Sequence, residues 1–167
     1  MAIPSRQESF QLLWQHNVPD NVIRHSIVVS RVAAEVAAEL DKKGKKVNLR
    51  LLDSSAILHD IGKLQPEHEK AGFNLLVKHG YREVAEVILT HPLHYILDRK
   101  NRPKTIEQKI LHYADKRVMH HKVVPVKERL ADLRKRYPQY KEKITRAEPL
   151  VLKLEAELYE DVKHKGK

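Results

Sequence analysis

Between Asp20 and Gly44 the chain places Val22, His25, Val29, Val32, Val36 and Leu40 at helical spacing. Residues three and four apart share one face of an α-helix, so these side chains form a single apolar stripe with an imidazole set into it. A helix of this kind must be covered by other elements. Its imidazole must then find a partner inside the protein, because an unpaired polar group in an apolar setting costs roughly 2–7 kcal/mol.

The rest of the chain is punctuated as helices. Only five glycines occur in 167 residues, and no stretch alternates polar with apolar over strand length. Ser5-Arg6-Gln7-Glu8 has the spacing of a capping box before Phe10, Leu12, Leu13 and Trp14, with Asn17 as the stop. Pro19-Asp20 opens the long helix and Gly44 closes it. Asn48 caps a third helix reaching His59 and broken at Gly62; Pro66-Glu67 begins a fourth that ends at Gly80; a fifth runs from Arg82 to Thr90. The polar segment Asp98–Lys104 reads as a loop. Thr105-Ile106-Glu107-Gln108 is a second capping box, predicting a helix through His121. Charge-rich helices come after Pro125, broken near Tyr137-Pro138 and bent at Pro149. The expected architecture is all-α, a single helical bundle over residues 1–121 with a basic helical extension over 122–167. Val151, Leu154, Leu158 and Val162 share one face of that extension. It packs either on the domain or against a second copy in a homodimer.

The long helix is not alone in carrying a polar residue on its apolar side. His59 follows Leu52 and Ala56, His68 leads Gly72 and Leu75, His91 follows Val84, Val87 and Ile88, and Asp115 lies one turn after Leu111. Any one of these alone is more often a hydrogen-bonded core residue than a ligand. Five apolar faces that each present a His or Asp are satisfied together by one shared metal centre. The chain has no cysteine, so such a centre must be built from nitrogen and oxygen.

The run Leu58-His59-Asp60-Ile61-Gly62-Lys63 resembles the signature of the HD-domain metal-dependent phosphohydrolase superfamily in its HDIG-type branch. The remaining pattern occurs in order: a histidine on a long helix at His25, the doublet His59 and Asp60, and an aspartate on a later helix at Asp115. The resemblance spans about residues 20–121 and implies that His25, His59, Asp60 and Asp115 ligate the metal. Two further histidines of many members match His68, four residues before Gly72, and His91. Where the family often reads His-His this chain reads His91-Pro92, which leaves one ion or two open. His68 and His91 are accordingly second-metal ligands or groups on the substrate side.

A mixed imidazole and carboxylate set suits manganese, iron, cobalt or nickel, with magnesium and zinc as lesser fits. The resemblance implies hydrolysis of a phosphomonoester or phosphodiester, of a nucleotide. Asp60 is the candidate to orient the attacking water, and Lys63 to stabilise charge in the transition state. Arg24, Arg99, Lys100 and Arg102 are candidates for contact with substrate phosphate. The competing readings are a nucleic-acid-binding or metal-sensing protein with a structural HD site, and a di-iron oxygenase on the same fold. The formal charge of +10 points first to nucleic acid. Residues 1–116 carry 18 Lys+Arg against 14 Asp+Glu, and residues 117–167 carry 14 against 8. Cations and anions interleave there as on exposed helices, so nucleic acid is a secondary expectation beside a small anionic phosphate substrate. No apolar run is long enough to span a membrane and no secretion signal is seen at Met1–Glu8, so the expected location is cytoplasmic. His16 and His79 near helix ends, His112, His120 and His121 on the Asp115 helix, and His164 near the terminus receive ordinary assignments.

Overall fold

The computed structural model describes residues 2–165, with side chains described through Tyr159; the side chains of Val162 and His164 lie outside the described part. Eight α-helices appear among these residues: α1 Arg6–Gln15, α2 Asp20–Lys42, α3 Leu49–Leu58, α4 His68–Lys78, α5 Arg82–Leu89, α6 Ile106–Asp115, α7 Val126–Arg136 and α8 Lys141–Lys165. Both capping boxes form, at Ser5 with Glu8 and at Thr105 with Gln108. Asn48 caps α3 by accepting from the Leu51 amide. The stops at Asn17 and Gly44 take left-handed backbone, as the ends of α1 and α2 require.

The long helix α2 is the axis of the bundle, packed by α3, α6 and α8. Its stripe is buried as the spacing predicts: Val29, Val32, Val36 and Leu40 are in the core, while Val22 lies partly buried against it. Helices α4 and α5 pair with each other, and α5 leans on α3. Helices α7 and α8 form the extension, and Leu130, Ile144, Ala147, Val151, Leu154 and Leu158 enter the same hydrophobic core as Leu52 and Leu111. Polar ties reinforce this packing: the Tyr113 hydroxyl donates to Glu155 at 2.6 Å, and Lys109 reaches Glu157 at 2.7 Å. No helix among the described residues is long and apolar enough to cross a membrane.

Three local expectations need correction. The sixth helix stops at Asp115, not His121, and the chain then folds into a small antiparallel hairpin, β1 Val118–Met119 with β2 Lys122–Val123. His120 takes a left-handed conformation with φ 58° at its turn. His120 and His121 are therefore hairpin residues, and two-residue strands are too short to show any alternation in sequence. Second, α4 starts at His68 because Glu67, at φ 48°, turns the chain into the helix instead of belonging to it. Third, the segment Leu93–Leu97, unassigned by periodicity, forms a 3₁₀ turn onto which α8 packs.

Candidate metal centre

The polar residues on the apolar stripes meet at one end of the bundle, because each stands at or near a helix end there. His25 is in the first turns of α2, His59 and Asp60 follow α3, His68 opens α4, His91 follows α5 and Asp115 closes α6. The reversal after Asp60 depends on Gly62. A Cβ at that position would collide with the His68 carbonyl oxygen and sit 2.7 Å from the Gly72 amide nitrogen. Only a glycine lets the turn after Asp60 press against the start of α4.

The geometry is a chain of imidazoles around two carboxylates. Asp115 Oδ1 lies 2.9 Å from His25 Nε2 and 3.4 Å from His59 Nε2. Asp60 Oδ2 lies 3.2 Å from His59 Nε2, and its Oδ1 lies 3.2 Å from His91 Nε2 and 3.8 Å from His68 Nε2. Among the described residues, two overlapping groups of donors are close enough to hold an ion: His25, His59 and Asp115, and His59, Asp60 and His91.

The ring tautomers are fixed from behind. The Nδ1 atoms of His25, His59 and His91 face the carbonyls of His120, Ala56 and Ile88 at 2.9, 2.7 and 2.7 Å. A carbonyl can only accept, so each Nδ1 carries the proton and each Nε2 is turned to the carboxylates. A neutral Nε2 lone pair facing a carboxylate oxygen is repulsive, so the centre calls for positive charge. His59 shows this most sharply, since its Nε2 is buried without a well-directed hydrogen bond. Burial opposes its imidazolium, but Asp60 and Asp115 outweigh burial and lift its pKa to about 10. Burial also opposes the charge on Asp60, yet His59 holds the carboxyl well below its usual range. A divalent ion would meet the same demand with ligands already oriented, so the donor set fits a metal held by nitrogen and oxygen.

The cluster forms the floor of a cleft of about 540 Å³. Lys63 stands exposed at its rim, and Arg24, held by Asp20 at 3.0 Å, also lines it. Arg99, Lys100 and Arg102 are not brought there. Arg102 lines a separate cavity with Lys104, Lys109 and Lys153, while Arg99 and Lys100 are exposed on the loop. Further cations at the cleft come from the extension, as Arg129 and Arg136 of α7. Burial, with His91 and Lys63 beside it, pushes the His68 pKa down to about 4, which leaves that ring neutral near pH 7.

Several residues around the centre received ordinary assignments or none from the sequence. Lys116 is buried and bonds Asp115 Oδ2 and the His91 carbonyl, each at 2.8 Å, tying one carboxylate to the α5 end. His112 is fully buried with Nδ1 3.0 Å from the Thr90 carbonyl, and burial drives its pKa well below the ordinary value. The His120 contribution is a backbone oxygen and leaves no trace in side-chain pattern. Arg129, Asp132 and Arg136 do carry a signal, since positions i, i+3 and i+7 share a helix face.

Comparison with known proteins agrees with this geometry. The HD domain family matches residues 22–119, which contain every member of the His and Asp cluster. An uncharacterized protein of Methanocaldococcus jannaschii, MJ0778, is 27% identical over 131 residues, covering 70% of this chain and 78% of its own length. A ribonuclease Y of Desulforamulus reducens is 33% identical over 110 residues, which is 63% of this chain but 20% of that protein. A tRNA (cytidine(56)-2'-O)-methyltransferase of Picrophilus torridus is 26% identical over 140 residues, 75% of this chain and 40% of that protein. The chain thus spans only a fraction of the last two relatives. No solved structure matches at comparable significance. With its family match spanning α2 to the hairpin and the His and Asp residues assembled at one bundle end, the chain belongs to the HD domain family.

Proposed function

We propose that this protein is a metal-dependent phosphohydrolase acting on a phosphomonoester or phosphodiester of a nucleotide, with one or two divalent ions of the manganese, iron, cobalt or nickel type. The observation that carries this reading is the set of three imidazoles, each fixed at Nδ1 by a backbone carbonyl, with Nε2 turned to two buried carboxylates beneath a cationic cleft. A divalent ion bound there supplies Lewis acidity and brings the pKa of a water down to about 7.

His25, His59, Asp60 and Asp115 hold the ion. His91, buried with Nε2 3.2 Å from Asp60, joins them as a ligand. His68 is farther from Asp60 and less buried, and it faces the substrate, where its neutral ring can accept or pass a proton. Asp60 lies between His59 and His91 and orients the attacking water. Lys63 and the α7 arginines draw the phosphate to the cleft and offset the charge that builds on its oxygens. The relatives include a ribonuclease, so a nucleotide within RNA falls in the same reaction class.

The test is an assay of the purified protein with Mn²⁺, Co²⁺ or Ni²⁺ against nucleotides and chromogenic phosphomonoesters and phosphodiesters, with bound metal measured in the same sample. Hydrolysis is expected in at least one ester class. Metal-loaded protein that cleaves none of them overturns the proposal.

A further inference from the structure

We propose that the corner between α7 and α8 is a ring-binding annex of the metal cleft, which selects phosphate compounds carrying a flat heteroaromatic group such as a nucleobase. The inference rests on the phosphohydrolase reading of the neighbouring centre and gives the basic extension a role in it.

A second cavity of about 590 Å³ adjoins the cleft, and Lys63, His68, Leu93 and Leu133 line both. The two spaces therefore adjoin at the rim of the candidate metal centre. The character of the walls changes at that boundary. The cleft floor is imidazole and carboxylate, whereas the annex is lined by Tyr137, Tyr140, His94, Leu93, Leu133 and Ile144, with Lys143 beside them and no acidic side chain. The tyrosine rings offer stacking faces, and the lysines with no opposing carboxylate favour an anion, so such a lining suits a flat ring attached to an anionic group.

The aromatic rings are set there by the corner between two helices. Helix α7 ends at Arg136 with Tyr137 as its cap, Pro138 opens a 3₁₀ turn through Tyr140, and α8 begins at the next residue. Helix α8 packs on the Leu93–Leu97 turn, and His94 of that turn lines the same cavity as the corner. Tyr137 and Tyr140 remain 42% and 53% exposed although α8 inserts apolar residues into the core along its own length. The Arg136 guanidinium lies 5.7 Å from the Tyr137 ring centre and also lines the metal cleft, so one residue joins the aromatic wall to the phosphate side.

The phosphate side has an unmet demand of its own. Arg129 lines the cleft with a side chain only 12% exposed, and its Nε and Nη1 are buried without a hydrogen bond. Asp132 Oδ2 stands 3.8 Å from Nη1, too far for one, and it is 2.9 Å from Arg136. A buried guanidinium with free donors is costly unless a ligand oxyanion completes it. An anion at Arg129 next to the metal centre, with its ring in the annex, satisfies both halves of the site.

The experiment measures binding of adenosine 5′-phosphorothioate, chosen because it hydrolyses slowly, and of inorganic thiophosphate to the Mn²⁺-loaded full chain. The nucleotide is expected to bind at least about tenfold tighter than thiophosphate, the scale of a base stacked on an aromatic ring. Replacing both rings, Tyr137→Ala with Tyr140→Ala, should lower that ratio about tenfold, and Tyr137→Phe with Tyr140→Phe should keep it. Arg129→Ala should weaken both ligands together. Equal binding of the two ligands to the native chain, or a ratio untouched by the double alanine variant, overturns the annex. The phosphohydrolase reading fails separately, through absence of turnover with ordinary esters, while the binding ratio is still read.

Discussion

The candidate metal centre and the α7–α8 wall beside it are built in contrasting ways. In the centre, His59 and Asp60 are buried, three rings are fixed from behind by carbonyls, and Gly62 leaves no slack between the turn after α3 and the start of α4. In the wall, Arg136, Tyr137 and Tyr140 reach the cavities on partly exposed side chains from a helix corner. Chemistry that needs ligand atoms held to a fraction of an ångström is placed where packing over-determines position. Recognition that tolerates adjustment is placed on side chains that keep some freedom. The contrast implies that changes in the centre should abolish function or folding, whereas changes in the wall should grade it.

The largest effect is expected at Asp60, which faces His59, His91 and His68. Asp60→Ala should lose both retained metal and turnover, measured by metal analysis after gel filtration and by the ester assay; full turnover in the variant would break the assignment of the centre. Gly62→Ala comes next, because the turn must move away from α4 to admit a methyl group. It should cost about 3 kcal/mol, read as a lowered urea midpoint, and native stability would show that the close approach is not required. Lys63→Ala, at the border of centre and wall, should reduce kcat about 10²-fold while the metal stays bound. Loss of metal in that variant would move Lys63 into the structural half of the comparison.

The pH dependence of stability in metal-free protein is set by the same buried groups. His68, at about 4, and His112, well below 6.5, are neutral when folded but titrate at the ordinary value when unfolded. Stability is therefore fully present above pH 6.5 and falls below it, at up to about 1.4 kcal/mol per pH unit for each group. His59 has the opposite sign: its contribution is complete below pH 6.5 and is lost as pH rises toward 10. Urea midpoints in chelator should peak near pH 6.5 and fall on either side of it, and midpoints that climb steadily as the pH drops below 6.5 would contradict the lowered pKa values of His68 and His112. The smallest effect is expected at the loop. Arg99→Ala and Lys100→Ala should change kcat/KM by less than about twofold, since neither side chain lines the cleft.

Much of the candidate centre is legible in the chain because its His and Asp residues stand on, or directly follow, helices of clear period. His25 announces itself on an apolar stripe, and capping boxes at Ser5 and Thr105 fix where helices begin. Periodicity carries a helix forward but does not say where tertiary contacts cut it off, and so the end of α6 at Asp115 and the hairpin beyond it are hidden. Cation assignment fails for a related reason. The loop around Arg99 is the most conspicuously basic linker, but proximity in sequence to a ligand helix says nothing about which way a loop leaves the bundle.

Local spacing and the cost of burying polar groups are enough to specify the helical class and a set of His and Asp residues that need a common partner, while the family resemblance singles out His25, His59, Asp60 and Asp115 among them. They do not specify that His59 stands between both carboxylates, that Lys116 and the His120 carbonyl brace the centre, or that the extension supplies its arginines and tyrosines. Those are relations between segments far apart in the chain, set by which helix ends pack together, and no periodicity within one segment encodes them.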